Sequence, residues 1–203
     1  MKLYYSPGAC SLADHIVLEW TGAPYEAIRV SREERKQPAY LAINPAGAVP
    51  ALVDADGWVL TQNAAILHYL AATHPQAALL GDGSPRGVAE VDRWLAFANA
   101  DVHPSFWPFF GGLSWVEDEA LLARGKAAAA EKLRGLFQRA DTQLQGRDWI
   151  AGARSVADPY LFVVTRWAKG VDVDLSGFDA LERHFQRMLA DAGVQRALQA
   201  EGL

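Results

Sequence analysis

Apolar and polar positions alternate in short blocks over roughly the first eighty residues and then settle into a helical rhythm. Lys2 to Tyr5 and Glu26 to Val30 are brief runs with β-branched or aromatic residues, and between them Leu12, Ile16 and Trp20 recur at i, i+4 and i+8. This predicts strand, helix, strand, a unit that pairs its two strands in parallel. Asn44-Pro45-Ala46-Gly47 is a turn, and Pro50 to Val53 with Trp58 to Leu60 forms a hairpin closed through Asp54-Ala55-Asp56-Gly57. Ala64, Ile66, Leu67, Tyr69 and Leu70 then predict a helix that stops before Pro75.

The chain turns small and polar from Gln76 to Ser84 and wholly helical after that. Ser84-Pro85 is an N-cap with proline in the first turn, followed by Val91, Leu95, Ala98 and Val102 at helical spacing. Glu117 to Leu144 carries a second apolar stripe, and Ser155-Val156-Ala157-Asp158 has capping-box spacing ahead of the apolar segment Leu161 to Trp167. Phe178 to Leu189 and Val194 to Leu198 complete the series. The expected organisation is an α/β domain over 1–78, a linker over 79–84 and an all-α domain over 85–203.

Composition narrows the class. With 51% hydrophobic and 21% charged residues in 203, the chain is globular, and its formal charge of −5 offers no basic field for nucleic acid. One cysteine can form neither an internal disulfide nor a thiolate metal cage. No run of about 18 apolar residues occurs, and Pro7-Gly8 interrupts the N-terminus before a signal peptide could form. A cytoplasmic protein that binds no metal and no membrane is expected.

The lone cysteine, Cys10, lies in Pro7-Gly8-Ala9-Cys10-Ser11, between the first strand and the first helix. Unpaired N–H groups and the helix dipole there favour a thiolate on Cys10 or on a bound ligand. An inert core cysteine is the alternative reading. Ser11 is either a hydroxyl donor beside the same site or a helix cap with Asp14.

Three motifs in register, Met1 to Ala13, Asn44-Pro45-Ala46-Gly47-Ala48-Val49-Pro50-Ala51-Leu52 and Ser155 to Asp158, resemble the bacterial glutathione transferases, most closely the beta class. The resemblance implies the glutathione transferase fold: an α/β thioredoxin-like N-terminal domain that binds glutathione as co-substrate, plus an all-α C-terminal domain with the electrophile pocket. A homodimer is also implied.

That resemblance carries over residue by residue. Val49-Pro50 matches a cis pair whose backbone N–H and C=O are free for the tripeptide. Gln62-Asn63 matches the pair that meets the γ-glutamyl end, with Gln62 replacing the usual Glu and losing an ion pair to the ligand amine. Arg32, Arg35 and Lys36 compete for the glycine carboxylate, Arg35 being preferred. Asp101-Val102-His103 matches an acidic, apolar, His segment whose histidine approaches the cysteine, although Pro104 follows here and threatens to displace it. Cys10 and His103 are thus the implied catalytic residues.

Ala9, Phe106, Phe109, Phe110 and Trp167 are the candidate lining of the electrophile pocket, against the alternative that this aromatic cluster, with Trp107 and Trp115, fills core or interface. His15, His68, His74 and His184 match no ligand pattern and are expected on helix surfaces or at caps. The implied activity is transfer of glutathione to small electrophiles, with thiol–disulfide exchange or peroxide reduction through Cys10 as further chemistry. An interaction module that has kept only the fold, or a specialised isomerase or dehalogenase of the same superfamily, are the alternatives.

Overall fold

The computed structural model describes residues 1–203. Strand β1 (Lys2–Tyr5) leads through helix α1 (Ser11–Thr21) to β2 (Glu26–Arg29), one residue shorter than its apolar run. Between β2 and the hairpin the chain contains a 3-10 turn at Glu34–Lys36 and a four-residue helix, α2 (Pro38–Leu41). The hairpin follows as β3 (Ala51–Val53) and β4 (Val59–Thr61), then α3 (Asn63–Thr73). The strands order as β2-β1-β3-β4, with β1 parallel to β2 and antiparallel to β3. The hairpin turn closes through Asp54 N–H to Trp58 C=O at 2.9 Å, with Gly57 at φ 88°, a conformation glycine adopts at no steric cost.

The second half is helical: α4 (Pro85–Ala96), α5 (His103–Ser105), α6 (Glu119–Leu144), α7 (Ala157–Gly170), α8 (Asp179–Ala190) and α9 (Ala192–Glu201). Ser84 caps α4 by accepting the Gly87 N–H at 3.0 Å. The helix expected to run from Pro85 through Val102 instead widens at Phe97–Val102 into a π-helical segment before α5 begins. Pro104 can donate no N–H, and the wider turn precedes it.

Both halves draw on one apolar core. Leu3, Leu12 and Ile16 from the sheet half and Phe106, Phe137 and Phe162 from the helical half are fully buried in it. Helix α1 is its axis, packed against α3 on one side and α7 and α9 on the other. Leu79, inside the 79–84 segment, is buried and accepts the Val156 N–H at 3.1 Å. His15 and His184, expected on surfaces, are instead buried: His15 Nδ1 meets Glu201 Oε1 and His184 Nε2 meets Asp158 Oδ1, each at 3.0 Å. Buried imidazoles need polar partners, and carboxylates from other helices supply them.

Candidate active site

A cavity of about 480 Å³ opens where the sheet half meets the helical half. From the first half it is lined by Cys10, Asn44, Ala46, Ala48, Val49, Pro50, Thr61, Gln62 and Asn63, and from the second by Asn99, His103, Pro104, Trp107, Phe110 and Tyr160.

Cys10 sits at the N-terminal edge of α1, buried, with Sγ 3.6 Å from the Val49 carbonyl to which it donates. Burial, reinforced by the buried Asp14 carboxyl one turn along, pushes the thiol up to about 12. Of the two places expected for a thiolate, Cys10 or a bound ligand, burial speaks against the first: at Cys10 loss of solvation outweighs the favourable N–H groups and the dipole. The Val49–Pro50 peptide is cis. The Val49 C=O, expected to be free, is taken by the Cys10 thiol, whereas its N–H donates to no protein atom.

Gln62 precedes α3 at φ 73°, in a region that side chains other than glycine rarely occupy, and its side chain faces no hydrogen-bond partner in the protein. Asn63 is committed elsewhere: its Nδ2 donates to the Cys10 carbonyl at 2.7 Å, tying α3 to the cysteine loop, while its buried Oδ1 has no partner.

His103 holds helical geometry despite Pro104 and reaches the cavity. Its Nδ1 lies 2.7 Å from Tyr160 Oη, which donates to Asn99 Oδ1 at 3.0 Å. With the tyrosine proton directed at Asn99, the Tyr160 oxygen accepts from His103 Nδ1–H, and Nε2 keeps the ring's lone pair. Burial lowers the His103 pKa, which keeps the ring neutral.

Several expected residues stand apart from the cavity. Ser11 is fully buried and turned to Ser6, its Oγ accepting the Ser6 N–H at 3.3 Å. Asp101 is exposed and faces Arg139 at 3.9 Å. Ala9 packs against Val30, Tyr40 and Val49, and Phe106 is core. Phe109 is packed against that core rather than the cavity. Trp167 lies one layer behind, edge-on to His103 at 4.7 Å, with its Nε1 donating to the Gly8 carbonyl at 2.8 Å. Of the expected aromatic lining only Phe110 reaches the cavity, because helix packing turned the others inward. Arg35 is half-buried outside the lining, its guanidinium Nε without a partner, while Arg32 and Lys36 are exposed.

Sequence reasoning missed Asn99 and Tyr160. Asn99 lies four residues before His103, which places both on one helix face, and that spacing was the available signal. Tyr160, inside an apolar run, gave none. No group of three or more His, Cys, Asp or Glu side chains is placed to hold a metal ion, and no helix is long and apolar enough to cross a membrane.

The family model for the glutathione S-transferase N-terminal domain matches residues 9–73, and that for the C-terminal domain matches residues 103–192. A relative from Xanthomonas campestris pv. campestris, glutathione S-transferase GST-4.5, is 57% identical over 204 residues covering all of both chains. The solved glutathione S-transferase of Xylella fastidiosa superposes with a TM-score of 0.97 at 54% identity, over all of this chain and 98% of that one. A sphingomonad glutathione S-transferase solved in complex with glutathione superposes at 0.88 with 39% identity, over all of both chains.

Proposed function

This chain belongs to the glutathione S-transferase family and is an enzyme of the transferase type, and from that premise we propose that it is a beta-class member that binds glutathione in the cavity between sheet and helices and directs its thiol at a small electrophile. The observation that carries this reading is the meeting, in one cavity, of Cys10, Val49 and Gln62 from the sheet half with His103 from the helical half. The unpartnered Val49 N–H would pair with the tripeptide backbone, and Gln62 with its γ-glutamyl end. Arg35 is assigned to the glycine carboxylate over Arg32 and Lys36 because it alone of the three is half-buried with an unpartnered guanidinium nitrogen.

The neutral His103, with Nδ1–H fixed by Tyr160, accepts the glutathione thiol proton at Nε2. Cys10 then acts as a neutral donor to the resulting sulfur anion, turning from the Val49 carbonyl to the ligand. Thiol–disulfide exchange or peroxide reduction through Cys10 would need its thiolate, which burial opposes. Trp107, Phe110 and Pro104 form the apolar side that receives the electrophile. The domain division at 79–84, a homodimeric assembly and a cytoplasmic setting complete the proposal.

Calorimetric titration of reduced glutathione into wild type and Gln62→Ala tests it. Binding that weakens in the variant is expected; absence of binding to the wild type in calorimetry and in an orthogonal assay would favour an interaction module that has kept only the fold.

A further inference from the structure

Two exposed rings form the aromatic wall of the cavity, and they are held in different ways. Phe110 is fixed by other rings: it stacks on Phe106 at 5.7 Å and 13° and meets Trp167 edge-on at 5.2 Å. Trp107, 56% exposed, pairs with no ring and lies flat against the backbone of Gly112. A Cβ at position 112 would fall 2.0 Å from Trp107 Cδ2, 2.2 Å from Cε2 and 2.5 Å from Cγ. Carbons in contact stand about 3.5 to 4.0 Å apart, so any side chain there would have to displace the indole.

The local chain supports this seat. Gly112 N–H donates to the Trp107 carbonyl at 2.9 Å, and the Gly112 carbonyl accepts from Trp115 Nε1 at 3.1 Å. The left-handed residue that makes the turn is Gly111, at φ 94°, whereas Gly112 lies outside that region. Glycine at 112 is therefore required by the ring that covers it and not by its own backbone.

We propose that Gly112 is a specificity-determining residue that acts through Trp107: its missing side chain lets the indole recede, which leaves the apolar side of the cavity wide enough for a bulky aryl electrophile. This rests on the reading that the cavity takes glutathione with its sulfur toward Trp107 and Phe110. Gly112 does not itself line the cavity whereas Trp107 does, so a methyl group at 112 acts on the ligand space through the indole, and on this proposal it moves the ring toward the ligand.

The test measures equilibrium binding of S-methylglutathione and S-(2,4-dinitrophenyl)glutathione to wild type, Gly112→Ala, Trp107→Ala and the double variant. Gly112→Ala is expected to weaken the aryl conjugate on the order of tenfold and to leave the methyl conjugate within about twofold, with no further effect once Trp107 is Ala. Equal loss of both conjugates, a gain for the aryl one, or an effect that persists in the Trp107→Ala background overturns it. Should Gly112→Ala fold poorly by circular dichroism, rescue by Trp107→Ala supports the proposal and failure of rescue overturns it. If the aryl conjugate does not bind wild type while the methyl one does, this inference alone falls; if neither binds, the underlying reading falls with it.

Discussion

Glu201, in the last turn of the final helix, accepts the backbone N–H of Gly8 at 2.8 Å, two residues before Cys10. Its other oxygen meets His15 at 3.0 Å, and both side chains are buried. Glu201→Ala would leave the half-buried Gly8 amide and the buried His15 Nδ1 without their partner, at a cost of about 2–4 kcal/mol. A denaturant midpoint measured at neutral pH should fall accordingly, and Glu201→Gln, which keeps an acceptor for Gly8, should lose less. An unchanged midpoint in Glu201→Ala would show that the C-terminal turn does not support the cysteine loop.

Tyr160 joins His103 to Asn99, so Tyr160→Phe removes the acceptor that fixes the His103 tautomer while keeping the ring and its packing. Conjugation kcat/KM should drop by roughly 10- to 100-fold, mostly in kcat, because the groups assigned to glutathione binding are untouched. A change confined to the KM for glutathione would place Tyr160 in ligand binding instead.

Burial lowers the His103 pKa below its ordinary 6.5, which favours the neutral ring in the folded enzyme. The acid limb of the pH–rate profile, followed as kcat/KM, should therefore lie below 6.5 and disappear in His103→Ala. For stability the same depressed value means that the contribution is full above the unfolded pKa and is lost as pH falls through the folded one.

Cys10, raised from 9.0 to about 12, behaves in the opposite sense. Its stabilising contribution is present below the unfolded pKa and fades as pH rises from there through about 12. Iodoacetamide should label the native protein at pH 8 far more slowly than the unfolded chain, and Cys10→Ala should keep most of its conjugating activity. Labelling at equal rates would mean that the thiol is neither shielded nor held neutral.

Gln62 keeps a side chain at φ 73°. Gln62→Gly relieves that conformation and should raise stability by about 1 kcal/mol, yet weaken glutathione by roughly three- to tenfold through loss of the amide. Gln62→Ala keeps the Cβ and should show only the second effect. Thermal midpoints and calorimetric titration on the two variants separate backbone from side chain.

The main helices were legible because they bury a periodic face: Leu12 and Ile16 on α1, and Val91 and Leu95 on α4, mark buried positions directly. Cys10 was picked out by its place between the first strand and the first helix, and Val49, Gln62 and His103 by the resemblance to the bacterial glutathione transferases; the fold brings all four to one cavity. What could not be read was direction. Phe106, Phe110 and Trp107 lie within five positions, yet one is core and two line the cavity. The π-helical segment before His103 shifts the helix phase there, and sequence spacing does not register that shift. The choice between a thiolate and a buried thiol at Cys10 was likewise open in the sequence. A helix terminus can be inferred from sequence, whereas the depth of burial that outweighs it depends on Asn63, Val49 and Tyr160 arriving from three other segments.

Trp167 touches two things at once: its indole N–H holds the Gly8 carbonyl from the sheet half, and its ring meets His103 of the helical half in a T-shaped pair. Loss of the indole at position 167 therefore removes a support of the cysteine loop and of the imidazole together. Chimeras that join the first half of one relative to the second half of another are expected to keep both supports only where the incoming half carries an indole at this position.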